Sequence, residues 1–232
     1  MASDARNLPA RTAVDAFLSE VAAAPVPATA SGIGRLVFAL DATASRQPTW
    51  DRACHIQAEM FAETASLGGL AIQMCYFRGY GEFAATPWLA DAGALIRRMT
   101  AVTCLSGKTQ IARVLRHTID EASAGRVNAL VYVGDCMEED EAALADLAGR
   151  LGLLGVPAFI FQEGREARAR RAFQEIARLT RGAYMSFDSA SAQVLRDLLK
   201  AVAVYAAGGP KALRLYAERQ GGEVLRLTAQ LS

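Results

Sequence analysis

The 232-residue chain contains little histidine or lysine, only four cysteines, and no long apolar run. Its two histidines, His55 and His117, share no motif, so a histidine metal centre is not indicated and both read as packing or surface residues. Cys54, Cys75, Cys104 and Cys136 lie far apart, with no Cys-x-x-Cys pair. That excludes a zinc-finger module and a disulfide scaffold. An excess of one charge sign is also missing: 25 basic against 24 acidic side chains leave a formal net charge of +1. Nucleic-acid and membrane-surface binders usually carry a large single-sign excess, so neither partner is expected. The longest uncharged stretches, Thr64–Phe77 and Leu151–Gln162, fall short of the ~18–20 apolar residues of a membrane span. Met1–Pro9 is polar and charged with no apolar core behind it, so no signal peptide and a cytoplasmic location are expected.

A hydrophobic share of 52% against 21% charged residues is enough to build a core, which excludes a disordered chain. Lys108, Lys200 and Lys211 are the only lysines; the remaining basic residues are arginines, which reads as coding bias before chemistry. A helical stripe over Thr12–Ala24 is stopped by Pro25-Val-Pro27, and Ala28–Gly34 reads as a small-residue linker. From Arg35, short apolar runs alternate with segments of helical period. The runs are Leu36–Leu40, Leu70–Phe77, Val127–Val133, Ala158–Phe161 and Ala183–Phe187, with Glu82–Ala85 as a short returning edge strand after Gly79–Gly81. The helical stripes run from Trp50 to Phe61, Ile111 to Ile119, Leu144 to Leu151, Phe173 to Ala177 and Val194 to Val202. Strands apolar on both sides belong in a sheet covered by helices on both faces. The expectation is therefore an α/β fold: a doubly wound, mostly parallel, Rossmann-like sheet with one short antiparallel edge strand. Residues 1–34 would form an N-terminal helix and linker, 35–207 the α/β domain, and 208–232 a C-terminal extension with a helical piece at Lys211–Arg219 and a strand at Glu223–Ala229.

In such sheets ligands bind beyond the carboxyl ends of the strands. The polar residues expected there are Asp41, Thr43 and Ser45 after the first strand, Thr109 before the Ile111 helix, and Asp135 after Val127–Val133. Two carboxylates and three hydroxyls make an all-oxygen set, the donor type that hard divalent cations such as Mg²⁺ prefer.

Asp41-x-Thr43-x-Ser45 after a first apolar strand, Thr109 ahead of a helix and Asp135 at the end of the next core strand together resemble the von Willebrand factor type A (VWA) domain family. The resemblance covers about Arg35 to Ala207. It implies that Asp41, Thr43, Ser45, Thr109 and Asp135 take the roles of its metal-ion-dependent adhesion site (MIDAS), with Thr43 standing where serine is commoner. It further implies bound Mg²⁺, with Mn²⁺ or Ca²⁺ as alternatives, and a protein partner whose Asp or Glu completes the coordination. On that resemblance the chain is a bacterial, intracellular interaction module working without covalent chemistry, in the setting of an AAA+ ATPase or another assembly or stress system.

Other readings stand beside it. Gly107-Lys108-Thr109 opening a helix, with Asp135 ending a strand, resembles a P-loop nucleotide site, although Val102 occupies the position of the first glycine such a loop requires. Asp41 as a phosphoryl acceptor lacks the second acid, since Thr43 stands two residues on. Asp41 and Thr109 also read simply as a strand-end turn and a helix cap. Cys136 beside Asp135 reads as a small buried thiol, or as a redox sensor. Arg165, Arg168, Arg170, Arg171, Arg178 and Arg181 read as a solvated face because glutamates are interleaved, or as a surface for an acidic partner. Glu138-Glu-Asp-Glu141 opens a helix whose dipole favours negative charge, and, lying beside Asp135, it also reads as tuning cation attraction at the site. Met137, Trp50, Trp88 and Phe83 read as core residues, or as an apolar rim around the site.

Overall fold

A computed structural model describes residues 33–47, 70–187 and 200–209, with residues 212, 215 and 216. The expected helix at Thr12–Ala24, the stripe from Trp50 to Phe61 with Cys54 and His55, and the strand at Glu223–Ala229 lie outside the described residues. So does most of Val194–Val202, although residues 200–209 are helical, as are 212, 215 and 216 in the expected helical tail.

The strands are β1 (Gly34–Asp41), β2 (Leu70–Arg78), β3 (Glu82–Ala85), β4 (Ala129–Gly134), β5 (Ala158–Glu163) and β6 (Ala183–Phe187). The helices between them are α1 (Ala92–Thr100), α2 (Ile111–Ala124), α3 (Glu141–Leu153) and α4 (Ala167–Thr180). They form one sheet in the order β3-β2-β1-β4-β5-β6. Every pairing is parallel except β2 with β3, which closes the edge as an antiparallel hairpin. The α/β expectation and its antiparallel edge strand hold.

Side-chain alternation divides each strand between two cores. Leu36, Phe38 and Leu40 of β1 face one side with Val131 and Val133 of β4, covered by Leu95 and Met99 of α1 and by Val202 and Tyr205 of the 200–209 helix. Val37 and Ala39 face the other side with Leu130 and Tyr132, under α2, α3 and α4. Neither face of the central strands meets water, which is why the sequence runs are apolar without interruption. Each large apolar side chain buried this way contributes about 1.5–3 kcal/mol.

Helix α1 was not anticipated. It is short and seats only Leu95 and Met99 fully in the core, too few to make a sequence stripe. Its start is set by Asp91, whose Oδ1 accepts from Ala94 N at 2.6 Å. Between β2 and α2 lies a partly buried polar cluster. Gln73 Nε2 donates to Glu121 Oε1 (2.9 Å), Trp88 Nε1 donates to Glu121 Oε2 (2.9 Å), and His117 Nε2 meets Gln73 Oε1 (2.8 Å). Among the described residues, no helix is long and apolar enough to cross a membrane.

Candidate functional site

The strand order reverses direction at β1. The chain leaves β1 for β2 on one side and later returns to β4 on the other. The crevice between the carboxyl ends of β1 and β4 is therefore the topological switch point, where an open α/β sheet leaves room for a ligand. Asp41 is the last residue of β1, and Asp135 follows the last residue of β4.

The β1 loop is pinned before it turns. Ala42 N donates to Phe77 O of β2 (3.0 Å), and Leu105 N donates to Ala42 O (3.1 Å). Thr43 N then donates to Asp41 Oδ1 at 2.8 Å, an Asx turn that curls the chain into a 3₁₀ turn over Ala44–Arg46. That turn brings Thr43 Oγ1, which also bonds the Asp41 carboxylate, within 3.1 Å of Ser45 Oγ. Asp41 is fully buried, yet its Oδ2 has no hydrogen-bond partner; the same is true of Asp135 Oδ1. A buried carboxylate oxygen without a donor is costly, and a cation is the usual remedy. Burial, with Asp135 nearby, pushes the Asp41 carboxyl up to about 6 against the pull of the Thr43 donors and Arg46. One oxygen each from Asp41 and Asp135 and the Cys136 sulfur lie within 4.8 Å of one another.

A further charge pair crosses this edge. Arg46, nearly inaccessible to solvent, leaves the β1 loop and forms an ion pair with Glu163 at the end of β5. Since β4 lies between β1 and β5, the guanidinium spans the carboxyl end of β4, where Asp135 emerges. The charges of Asp135 and Asp41 both favour the cationic form of Arg46 against its burial.

The loop carrying Thr109 is wedged between the β1 loop and the β2–β3 turn. Thr43 and Leu105 pair as an isolated bridge, and Lys108 N donates to Gly79 O at 3.3 Å. Only glycine fits at 107, since a Cβ there would stand 1.9 Å from Gly79 O. Thr109 is buried and exchanges two hydrogen bonds with Glu138: Thr109 N donates to Glu138 Oε2 (3.0 Å), and Glu138 N donates to Thr109 Oγ1 (3.2 Å). Glu139 accepts from Ile111 N and, at 2.9 Å, from Ala112 N. The two glutamates thus serve the start of α2, not their own helix; α3 is capped by Asp140, whose Oδ1 accepts from Ala143 N at 2.7 Å. The acidic run therefore opens α3 through Asp140 and Glu141, and its first two residues serve the neighbouring α2 as well. It also bears on the P-loop alternative. The amides at the start of α2 that would cradle phosphate already donate to carboxylates, and Val102 is buried in the core.

No protein-family model and no curated protein matches this sequence. Solved structures do match. A von Willebrand factor type A protein from Catenulispora acidiphila superposes with a TM-score of 0.59 at 17% identity, covering 74% of this chain and 43% of that one. The SpRpn10 VWA domain gives 0.58 at 14% identity, covering 72% and 94%. The proximal thread matrix protein of the mussel byssus, in a structure with a zinc-occupied MIDAS motif, gives 0.59 at 14% identity, covering 74% and 46%. This chain has a VWA-like fold. It spans less than half the length of the first and third of these proteins.

Within the VWA-like sheet, Asp41, Thr43, Ser45 and Asp135 stand at the switch point, and Thr109 stands in the loop joined to Glu138, three residues beyond Asp135. Four neighbours of this set carried no motif: Arg46, Glu163, Cys136 and Glu138. Glu163 lies 117 positions from Arg46, so no spacing links them, whereas Cys136 was visible as a neighbour of Asp135. Met137 is core, and Phe83 and Trp88 pack against the α2 side of the sheet. The exposed apolar side chains at this edge are Tyr80, in the β2–β3 turn, and Leu105. The arginines of α4 and its flanks are exposed; Arg168 pairs with Glu141 (3.2 Å) and Arg178 with Glu175 (2.6 Å), as a solvated face would.

Proposed function

We propose that this chain is a protein-interaction module that binds a divalent cation at the carboxyl edge of its VWA-like sheet, with Asp41, Thr43, Ser45, Thr109 and Asp135 as the oxygen set. The observation that carries the reading is the pair of buried, unpartnered carboxylate oxygens of Asp41 and Asp135 at the switch point, beside two hydroxyls. The donor types fit Mg²⁺ or Mn²⁺. The zinc-occupied MIDAS of the mussel protein supports admitting a transition metal as well. A partner's Asp or Glu would complete the coordination, because an ion held by few carboxylates still attracts an anion. The reading is one of binding without turnover. The family resemblance supports a setting beside an AAA+ ATPase or another assembly or stress system.

The test is a thermal melt in EDTA and then in excess Mg²⁺, Mn²⁺ or Zn²⁺, on wild type and Asp41→Ala. A cation at 100 times its Kd stabilises the native state by about 2.7 kcal/mol, which for a domain of this size is a rise of about 5–10 °C. We expect that rise in wild type and none in Asp41→Ala. Equal melting points in EDTA and in every metal would sink the reading.

A further inference from the structure

We propose that Cys136 joins Asp41 and Asp135 as the third protein ligand of a thiophilic cation, Zn²⁺ above all, and so biases the site toward it over Mg²⁺. The inference rests on the metal-binding reading and adds to it one ligand and a metal class.

Three observations lead to it. The Cys136 sulfur and one oxygen from each of Asp41 and Asp135 all lie within 4.8 Å of one another. In a tetrahedral zinc site, ligand atoms at about 2.1 Å for oxygen and 2.3 Å for sulfur stand about 3.4–3.6 Å apart, so each pair of this group has to close by no more than about 1.4 Å. Asp41 is fully buried and keeps an oxygen with no donor, so the group already contains a side chain that calls for a cation. Cys136 is only half-buried, unlike Cys75, which lies wholly inside the core.

The chemistry separates two donor sets built on the same two carboxylates. With the hydroxyls of Thr43, Ser45 and Thr109, the set is all oxygen and suits a hard, six-coordinate ion. With Cys136 it is two oxygens and one sulfur, which suits a four-coordinate zinc ion with its fourth position open. That fourth position is where a partner carboxylate would bind. Coordination takes the sulfur as thiolate: its proton passes to solvent, a sulfur lone pair goes to the metal, and nothing is oxidised or reduced.

The test uses Co²⁺ as a spectroscopic stand-in for Zn²⁺, with affinities for Zn²⁺ and Mg²⁺ measured by calorimetry. Wild type should show a sulfur-to-cobalt charge-transfer band in the near ultraviolet. Cys136→Ser should lose the band and bind Zn²⁺ at least about tenfold more weakly, about 1.4 kcal/mol, with Mg²⁺ affinity within about twofold of wild type. Ser45→Ala should do the reverse, weakening Mg²⁺ and sparing Zn²⁺. Cys136→Ala, with melts of all variants in EDTA, guards against a folding defect in any one of them. Co²⁺ binding without the band, or equal losses of Zn²⁺ and Mg²⁺ in Cys136→Ser, overturns the role of Cys136 and leaves the oxygen site standing. Failure of wild type to bind any of the three metals overturns both.

Discussion

Beneath α2, Gln73, Glu121, Trp88 and His117 form a closed polar cluster, whereas at the carboxyl edge of the sheet Asp41 and Asp135 keep oxygens with no partner. Both clusters sit against the same sheet, and both bury polar atoms. In the first, the Glu121 oxygens accept from Gln73 and Trp88, and Gln73 Oε1, turned away from Glu121, faces His117. That acceptor requires His117 Nε2 to carry the proton, so the chain of donors closes on itself. Arg35 lies 5.0 Å over the Trp88 ring, and Phe83 meets His117 edge-on at 5.4 Å. Among the described residues, no fully buried side-chain polar atom of this cluster lacks a partner. At the sheet edge the opposite holds, and the surplus acceptors are anionic. Polar burial alone does not mark a binding site; polar burial with acceptors left over does.

The largest effect should come from breaking the charge strap at the edge. Arg46→Met breaks the ion pair with Glu163 and removes a positive charge from beside Asp41 and Asp135. Removing one partner of a buried ion pair costs about 3–5 kcal/mol, a fall in melting point of roughly 10 °C or more for a domain of this size. Added divalent cation should restore part of the loss, because it replaces the missing positive charge. A melting point in EDTA within a degree of wild type would show that the strap does not hold the edge together.

Glu121→Ala should come next, at about 1–2 kcal/mol, because it leaves the Trp88 Nε1 donor and one Gln73 donor without acceptors in a partly buried place. The metal-induced rise in melting point should be untouched. If Glu121→Ala also abolished that rise, the two clusters would be one coupled network and the contrast drawn between them would collapse.

The contrast also explains what the sequence could disclose. The sheet was legible because its central strands are buried on both faces and so are written as apolar runs; even the part-buried β6 spans Ala183–Phe187, as the run indicates. The hydroxyl and carboxylate positions were legible because Asp41, Thr43 and Ser45 lie within five residues, and strand ends are where ligand sites gather. Arg46 with Glu163, and Gln73 with Glu121 and His117, were not, since each is a contact between separate elements with no local pattern. The bonds from Glu138 and Glu139 to the start of α2 were hidden for the same reason: a carboxylate before one helix can serve another that folding brings beside it.

Acidity sharpens the comparison further. The Asp41 carboxyl, at about 6 against an ordinary 3.8, holds its proton more tightly in the folded chain than in the unfolded one. Its contribution to stability is therefore full below about pH 4 and is lost as pH rises through about 6. Metal binding has the opposite sign, because the ion needs the carboxylate. With cation at 100 times its Kd, the metal-induced rise in melting point should be full at pH 7, slightly reduced near pH 6 and about halved at pH 5, where an apparent affinity about tenfold weaker leaves about 1.4 of 2.7 kcal/mol. A rise of equal size at pH 5 and pH 7 would mean that Asp41 is not a ligand. The closed cluster supplies the control: Glu121→Ala should follow the same pH course as wild type.

The smallest effect belongs to the residue that joins the Thr109 loop to the β4 end. Glu138 is exposed, and its carboxylate accepts from Thr109 N while its own amide donates to Thr109 Oγ1. Glu138→Gln keeps an acceptor for the Thr109 amide and leaves the backbone donor in place, so it removes charge and little else. An exposed charge near a helix start contributes about 0.3–1 kcal/mol, and the melting point in EDTA should fall by no more than a few degrees. If Thr109 belongs to the cation's oxygen set, Mg²⁺ affinity should fall a few-fold, since the loop keeps its place but the edge loses a negative charge. Glu138→Ala, which also removes the acceptor, should weaken Mg²⁺ further than Glu138→Gln. Equal Mg²⁺ affinity in wild type and both variants would detach Thr109 from the site and leave Asp41, Thr43, Ser45 and Asp135 to hold the ion without it.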